Sequence, residues 1–287
     1  MSKVWLVTGS ARGLGRKIVE AALIAGERVV ATAREPRHLA DLVERYGERV
    51  RAIALDVTDP AAAAHAVQAA LQAFGRLDVV VNNAGFGHLA PFEQAPADDF
   101  RAQIDTNFYG VVNVTRAALP VLRQQRSGHI IQISSVGGRI GMAGFSAYQA
   151  AKWAVGGFTE VISQELAPFG VKVTALEPGS MKTDWSTEAG SALPDLLPDY
   201  QPSVGKIVEL LGQYVGNETG DPARVAEVVL RLAYHDNLPA HLLLGSDALH
   251  FSGEGDRTRA ASAAQWHEVS LSTDFAAPGP VPAFPKV

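Results

Sequence analysis

Short apolar runs separated by longer amphipathic stretches organise the chain up to about residue 245. Val4–Thr8, Arg28–Thr32, Val50–Leu55, Asp78–Asn82, His129–Ser134, Val171–Leu176 and Leu242–Gly245 are continuous runs rich in Val, Ile and Leu. That is the pattern of strands buried on both faces. Between them, apolar residues recur at helical spacing near Arg37–Tyr46, Ala61–Phe74, Asp98–Arg126, Ser146–Phe169 and Pro222–Tyr234. The alternation predicts an α/β fold, a doubly wound parallel sheet of about seven strands with helices on both faces. The rhythm is unbroken, so residues 1–245 read as a single domain.

Two segments depart from it. Residues 183–220 form a long connection carrying Pro194, Pro198 and Pro202, expected to be a lid over a substrate. Residues 246–287 form a C-terminal extension, with a helix expected around Thr258–Val269 and a Pro-rich, mobile end.

Composition narrows the class. With 287 residues, 47% hydrophobic, the chain can bury a sizeable core. A net charge of −5 with no basic run argues against nucleic acid as a partner. Without cysteine there is no disulfide framework, no thiol catalysis and no thiolate metal site, and no metal ligand set is expected. No apolar run is long enough to span a bilayer and no signal pattern opens the chain, so a cytoplasmic protein without membrane partners is expected.

The chemistry gathers where the strands end. After the first strand comes TGSARGLG, Thr8–Gly15, which leads directly into a helix. Unpaired N–H groups and the positive end of the helix dipole favour a phosphate there, and glycines let it approach closely. The third strand is followed by Asp56 and Val57, the fourth by NNAG (Asn82–Gly85), the fifth by Ser134 and Ser135, the sixth by PGSMKT (Pro178–Thr183). Ligands of an open parallel sheet bind at these carboxyl ends. In YQAAK, Tyr148 and Lys152 are four apart and share a helix face. A tyrosine hydroxyl with a pKa of ~10 needs help to act near neutrality, and a neighbouring ammonium is expected to lower it. Ser135 is placed to donate to the same substrate oxygen.

As an ordered set, these motifs resemble those of the short-chain dehydrogenase/reductase family, in its branch of chains near 250 residues. The resemblance covers residues 1 to about 185 by motif and runs to about 245 by strand–helix pattern. It implies a Rossmann-like fold and an oxidoreductase that moves a hydride between a nicotinamide cofactor and a carbonyl or alcohol. It implies that Tyr148 passes the proton, Ser135 orients the substrate oxygen, Lys152 holds the nicotinamide ribose, and Asn107 holds a water in the proton path. The cofactor would be held by Gly9, Ser10, Arg12, Gly13 and Leu14 in the loop, by Asp56 and Val57 at the adenine, by Asn83, Ala84 and Gly85 at its middle, and by Tyr148, Lys152, Pro178, Gly179, Met181 and Thr183 at the nicotinamide end.

Three expectations concern specificity. In RVVATAREP the second strand ends at Ala33, where a carboxylate would select NAD. Arg34 and Arg12 would instead grip a 2′-phosphate, so NADP(H) is the expected cofactor. Trp185, Leu193, Leu196, Leu197 and Tyr200 in the lid predict an apolar small-molecule carbonyl or alcohol. Val161, Ile162 and Phe169, with Phe108, Val111 and Val112, are expected to pair copies into a homodimer or homotetramer. Two alternatives remain beside a free-ketone reductase. One is a 3-oxoacyl-carrier-protein-type reductase, disfavoured by Asp184, Glu188, Asp195 and Asp199 around the lid against Lys182 and Lys206. The other is a non-catalytic dinucleotide-sensing regulator, disfavoured because Tyr148 and Lys152 are both kept.

Overall fold

Seven apolar runs become strands of one parallel sheet in this computed structural model, which describes residues 2–191, 193–276 and 279–285. They are β1 (Val4–Val7), β2 (Arg28–Ala33), β3 (Val50–Ala54), β4 (Val79–Asn82), β5 (Gly128–Ile133), β6 (Val171–Pro178) and β7 (His241–Leu244). Their order is β3-β2-β1-β4-β5-β6-β7, so the chain reverses its direction of travel between β1 and β4. Val7 pairs with Ala31 on one side and Val81 on the other. This register lines up the ends of the three central strands, and a crevice opens where the winding switches.

The helices follow in order: α1 (Gly13–Ile24), α2 (Ala40–Tyr46), α3 (Pro60–Phe74), α4 (Ala97–Ile104), α5 (Gly110–Gln125) and α6 (Ser146–Leu166). After β6 come α7 (Trp185–Ser191), α8 (Lys206–Tyr214), α9 (Pro222–Leu232), α10 (Ser246–Gln265) and α11 (His267–Leu271). Asp59 and Asp221 cap α3 and α9 by accepting from the N–H two residues on, with proline at the first helical position. Alternation within the strands sorts two cores. Trp5, Val7, Ala31 and Val81 meet Ile18, Val19 and Leu23 of α1 and Val225 and Val229 of α9. Leu6, Val30, Val80 and Ile130 meet α3, α5 and α6 through Ala66, Val67, Val114, Leu122, Ile162 and Leu166. Each fully buried Val, Leu or Ile contributes about 1.5–3 kcal/mol. Among the described residues no helix is long and apolar enough to cross a membrane.

Several expectations are corrected. The stretch Asp98–Arg126 is not one regular helix: a wider turn, Asp105–Tyr109, separates α4 from α5 and carries Asn107. Gly110 after it lies so close to Val57 that a methyl group there would be 2.5 Å from Val57 Cγ2. The C-terminal helix starts at Ser246, twelve residues before the expected Thr258, and a second short helix follows. Of its twenty residues only Ala248 and Ser252 are buried, so no apolar period marks it in the sequence. Val111 and Ile162, expected between copies, are 4% and 6% exposed within the chain's own core, whereas Val161 is exposed. Within the Pro-rich end, residues 277, 278, 286 and 287 lie outside the described residues.

Candidate active site

The carboxyl ends of the strands open into one cleft of about 940 Å³. At one end the chain turns from β1 into α1 through Gly9 (φ +65°) and Gly13 (φ +55°), left-handed positions that favour glycine. A methyl group on Gly15 would lie 2.4 Å from both the Gly9 carbonyl oxygen and Asn83 Nδ2. The close fit is mutual: Asn83 Nδ2 donates to the carbonyls of Thr8 (3.0 Å) and Gly9 (3.1 Å). Thr8 Oγ1 in turn accepts from the backbone N–H groups of Asn83 (2.9 Å) and Ala84 (3.0 Å). The NNAG turn thus buttresses the glycine loop. Ser10, expected at the cofactor, is wholly buried; its hydroxyl donates to the Val7 carbonyl (2.8 Å) and faces β2, not the cleft. Gly9, Arg12, Gly13 and Leu14 do line the cleft.

Beside this loop, β2 ends at buried Ala33 followed by exposed Arg34, both on the cleft wall. Glu35 is engaged by Arg37, and among the described residues Arg34 makes no ion pair. Arg12 differs from expectation: its guanidinium grips Glu188 of α7 with two hydrogen bonds, the Nη2···Oε2 one at 2.7 Å. Asp56 shapes its own turn by accepting from Thr58 N (2.9 Å) and Oγ1 (2.8 Å), while Asp56 and Val57 line the cleft.

The middle of the cleft holds the reactive groups. Lys152 is 4% exposed, and its Nζ donates to the Ile133 carbonyl at 2.8 Å and stands 5.5 Å from the Tyr148 ring centroid. Burial pushes its pKa down to about 8. Tyr148 goes the opposite way, up to about 12, because burial outweighs its hydrogen bond with Ser135. The expected lowering by Lys152 is therefore not realised: the dry surroundings penalise both charged forms. Ser135 Oγ also accepts from Gly137 N at 3.0 Å, which fixes its rotamer. Asn107 Nδ2 donates to the carbonyls of Phe86 (2.7 Å) and Gln103 (2.8 Å). Its Oδ1 is buried with no partner among the described residues, and only a glycine at position 85 leaves it room: a methyl group there would lie 2.5 Å away.

At the far end, Pro178, Gly179, Met181 and Thr183 line the cleft. What holds them was missed. Asp247, at the start of α10, accepts from Ser180 N (2.8 Å) and Ser180 Oγ (2.7 Å), and any Cβ on Gly179 would collide with it. Gly220 fastens the same loop to the end of the lid, donating to the Ser180 carbonyl (2.9 Å) and accepting from Lys182 N (3.0 Å). Asp247 and Phe251 both reach the cleft, so the C-terminal extension is part of the site. The one signal was Gly245-Ser246-Asp247 following a strand, the same polar strand end that marks the other loops.

The lid also differs in detail. Leu193, Leu196 and Tyr200 pack inward with Leu89, Phe145 and Val204 as a third small core, and Leu197 is exposed. None of the four lines the cleft, whose apolar lid wall is Trp185, Leu210, Leu211 and Tyr214. Trp185 stacks on Phe145 (centroids 6.1 Å, 21°) and leans on Tyr148 (5.1 Å). Gly87 makes this possible, since a methyl group there would lie 2.9 Å from both rings.

A dinucleotide fits this arrangement: a cradle that Cβ atoms would fill, helix N–H groups above it, and a lysine, a tyrosine and an unpartnered buried amide oxygen further along. Comparison with known proteins agrees. The short chain dehydrogenase family model matches residues 3–193. Oxidoreductase BOA17 of Botryotinia fuckeliana is 49% identical over 276 residues, 95% of this chain and 100% of that protein. A 3-oxoacyl-(acyl-carrier-protein) reductase of Vibrio cholerae is 32% identical over 88% of this chain and 96% of its own length. A crystal structure of a short-chain dehydrogenase from Streptomyces avermitilis superposes with a TM-score of 0.88 at 38% identity, covering 96% of this chain and 100% of that one. The chain belongs to the short-chain dehydrogenase/reductase family and is an oxidoreductase that binds a nicotinamide dinucleotide.

Proposed function

We propose that the protein is an NADP(H)-dependent reductase of a ketone or aldehyde on an apolar small molecule, working reversibly on the corresponding alcohol. The observation that carries this reading is a Tyr148 hydroxyl held protonated, with a pKa of about 12, beside Ser135 in a cleft with an apolar lid wall. The bound nicotinamide supplies the hydride. Ser135 donates to the substrate oxygen and fixes its position. Tyr148 delivers the proton to that oxygen as negative charge develops on it. Lys152 then serves as the nearby cation that makes the transient phenolate tolerable, and it holds the nicotinamide ribose. Asn107, through a water, links Lys152 to solvent for reprotonation. At the other end Ala33 stands where a carboxylate would repel a 2′-phosphate, and Arg34, which has no competing ion pair among the described residues, favours that phosphate. Arg12 would have to exchange Glu188 for the phosphate, so it contributes less.

The carrier-protein alternative has the Vibrio relative in its favour. Against it stand Asp184, Glu188, Asp195 and Asp199 around the lid, which would repel an acidic carrier. The reading includes a cytoplasmic homo-oligomer paired through the outer side of α6 and the turn before α5, where Val161 and Tyr109 are exposed.

A panel of free ketones with NADPH and NADH, followed by nicotinamide absorbance, tests the proposal together with Tyr148→Phe. The variant should bind NADP with unchanged affinity and lose about 10²–10⁴-fold in kcat, the usual contribution of a general acid. Near-full activity in Tyr148→Phe, or better use of NADH by the natural chain, would overturn it.

A further inference from the structure

His88 occupies the cleft wall in a place that proton transfer does not call for. It follows Gly87, whose Cα lies against the rings of Tyr148 and Trp185, so its side chain enters the cleft one residue from the reacting phenol. The ring of Phe86 lies beside it (centroids 5.1 Å apart), and Met142, Phe145 and Trp185 line the same cleft. Within it the imidazole is held from behind. His88 N donates to Gln103 Oε1 at 3.0 Å, and His88 Nδ1 meets Asp99 Oδ1 at 2.7 Å. Gln103 Nε2 donates to the other carboxylate oxygen of Asp99 at 2.8 Å. Gln103 is 2% exposed, and its carbonyl accepts from Asn107 Nδ2 at 2.8 Å. One buried glutamine therefore sets both the amide of the catalytic centre and the ring of His88.

The tautomer follows from this geometry. An ionised carboxylate can only accept, so Nδ1 carries a proton, and the lone pair of the ring's neutral form is on Nε2, on the flank away from Asp99. Among the described residues Nε2 has no hydrogen-bond partner. A tether for α4 would need Nδ1 alone. A polar group held in a fixed orientation beside apolar side chains is how small-molecule sites fix the orientation of a ligand.

We propose that His88 is a specificity-determining residue whose Nε2 accepts a hydrogen bond from a hydroxyl of the substrate, remote from the reacting carbonyl. Asp99 and Gln103 act as positioning residues behind it. The substrate class becomes hydroxyketones with an apolar body. A carboxylate in place of the hydroxyl is disfavoured by Asp105, Asp184, Glu188 and Asp247 on the cleft walls. This rests on the carbonyl-reductase reading above.

The test compares acetophenone with its 3-hydroxy and 4-hydroxy analogues. The natural chain with NADPH should show a kcat/KM about tenfold higher for one hydroxylated ketone than for the parent, the range of one neutral hydrogen bond. His88→Phe should lose that preference while changing the parent's kcat/KM by less than about threefold, within the scatter of a conservative ring replacement. His88→Asn, which still offers Asp99 a donor, should do the same with an unchanged Tm. Calorimetry of the same ketones on Tyr148→Phe loaded with NADPH should show the preference in Kd without turnover. Equal treatment of parent and hydroxylated ketones by the natural chain would overturn the proposal. So would an equal loss on all three ketones in His88→Asn. If no ketone is reduced with either nicotinamide, carbonyl reduction itself fails, and the calorimetric arm still decides the role of His88.

Discussion

The two ends of the cleft are held by different kinds of contact. At the glycine loop, side chains close onto main chain. The side chains of Thr8 and Asn83, 75 residues apart, lock the turn by bonding main-chain groups of the opposite loop, and Gly9 and Gly15 are excluded from carrying any side chain. At the lid end, beside the main-chain bonds of Gly220, side chain also meets side chain. Asp247 holds Ser180 across 67 residues, Trp185 lies on Phe145, and Tyr200 reaches Glu93 across 107 residues at 2.7 Å. Steric exclusion admits almost one solution; side-chain packing admits many of similar energy. The glycine-loop corner is thus sterically fixed, and the lid corner can repack.

The largest effect should come from violating the exclusion. Gly15→Ala places a methyl group 2.4 Å from Asn83 Nδ2 and the Gly9 carbonyl, so the buttress must open. Overpacking of this kind costs about 1–3 kcal/mol. Affinity for NADP, measured by calorimetry, should fall about hundredfold or more because several phosphate-facing N–H groups move together. Gly141→Ala, where a Cβ meets nothing within 4 Å, is the control and should leave binding and Tm unchanged. Natural affinity in Gly15→Ala would mean that the loop is plastic and the contrast false.

Between the two ends, Lys152 is held at a cost to stability. Its pKa falls from an ordinary 10.5 to about 8 on folding, so below about pH 8 the folded chain carries a buried ammonium at full penalty. Between about pH 8 and 10.5 the unfolded chain binds more protons than the folded one, and stability rises with pH. The gap corresponds to about 3 kcal/mol. Lys152→Met has no such dependence. Denaturant unfolding at pH 7.5 and 10.5 should show the natural chain gaining on the variant by about that amount. A constant difference would mean that the ammonium is already well solvated by its neighbours.

How much of this the sequence disclosed follows the same division. The glycine loop, NNAG, Ser135, Tyr148 and Lys152 are legible because each is a short local motif at a strand end, and the strands are continuous apolar runs. Asp247 was hidden because its partner lies 67 residues away, in a helix without an apolar period. The lid leucines misled for a related reason. A leucine that reaches the cleft and one that does not look the same in a sequence, and only the folded chain separates Leu193 and Leu196, which stop short of it, from Leu210 and Leu211, which line it. Ser10 was misplaced because the loop twists its hydroxyl toward Val7 and β2. The pKa of Tyr148 was misjudged because charge proximity is readable from a four-residue spacing and desolvation is not.

A smaller effect is expected at the lid end, where contacts are replaceable. Burial works against the Asp247 carboxylate, yet hydrogen bonds from Ser180 and Ala248 hold its pKa below the usual range. Asp247→Asn keeps the shape but turns one oxygen into a donor facing the Ser180 N–H. The 178–183 loop should loosen, raising the KM for NADPH and lowering kcat by about tenfold together, an energy near that of one charge-assisted hydrogen bond. A changed substrate preference with an unchanged cofactor KM would instead assign Asp247 to the substrate alone.

The smallest effect concerns the contact that joins the two ends, Arg12 of the glycine loop on Glu188 of the lid helix α7. Both side chains are substantially exposed, 62% and 39%, so the pair is screened and adds little to stability. Its interest is competition: Glu188 occupies the guanidinium that a 2′-phosphate would use, and it offers that phosphate a like charge. Glu188→Gln should leave Tm unchanged and lower the KM for NADPH about threefold at low salt, in keeping with the worth of an exposed ion pair. The KM for NADH, which has no 2′-phosphate, should not move. Raising the ionic strength should erase the difference, because exposed charges are screened within about 10 Å at 0.1 M salt. Arg34→Ala should raise the KM for NADPH by more than Arg12→Ala does, since Arg34 has no carboxylate to leave. A rise in the NADPH KM of Glu188→Gln would reverse the assignment, making the pair a clasp that closes the lid over the cofactor.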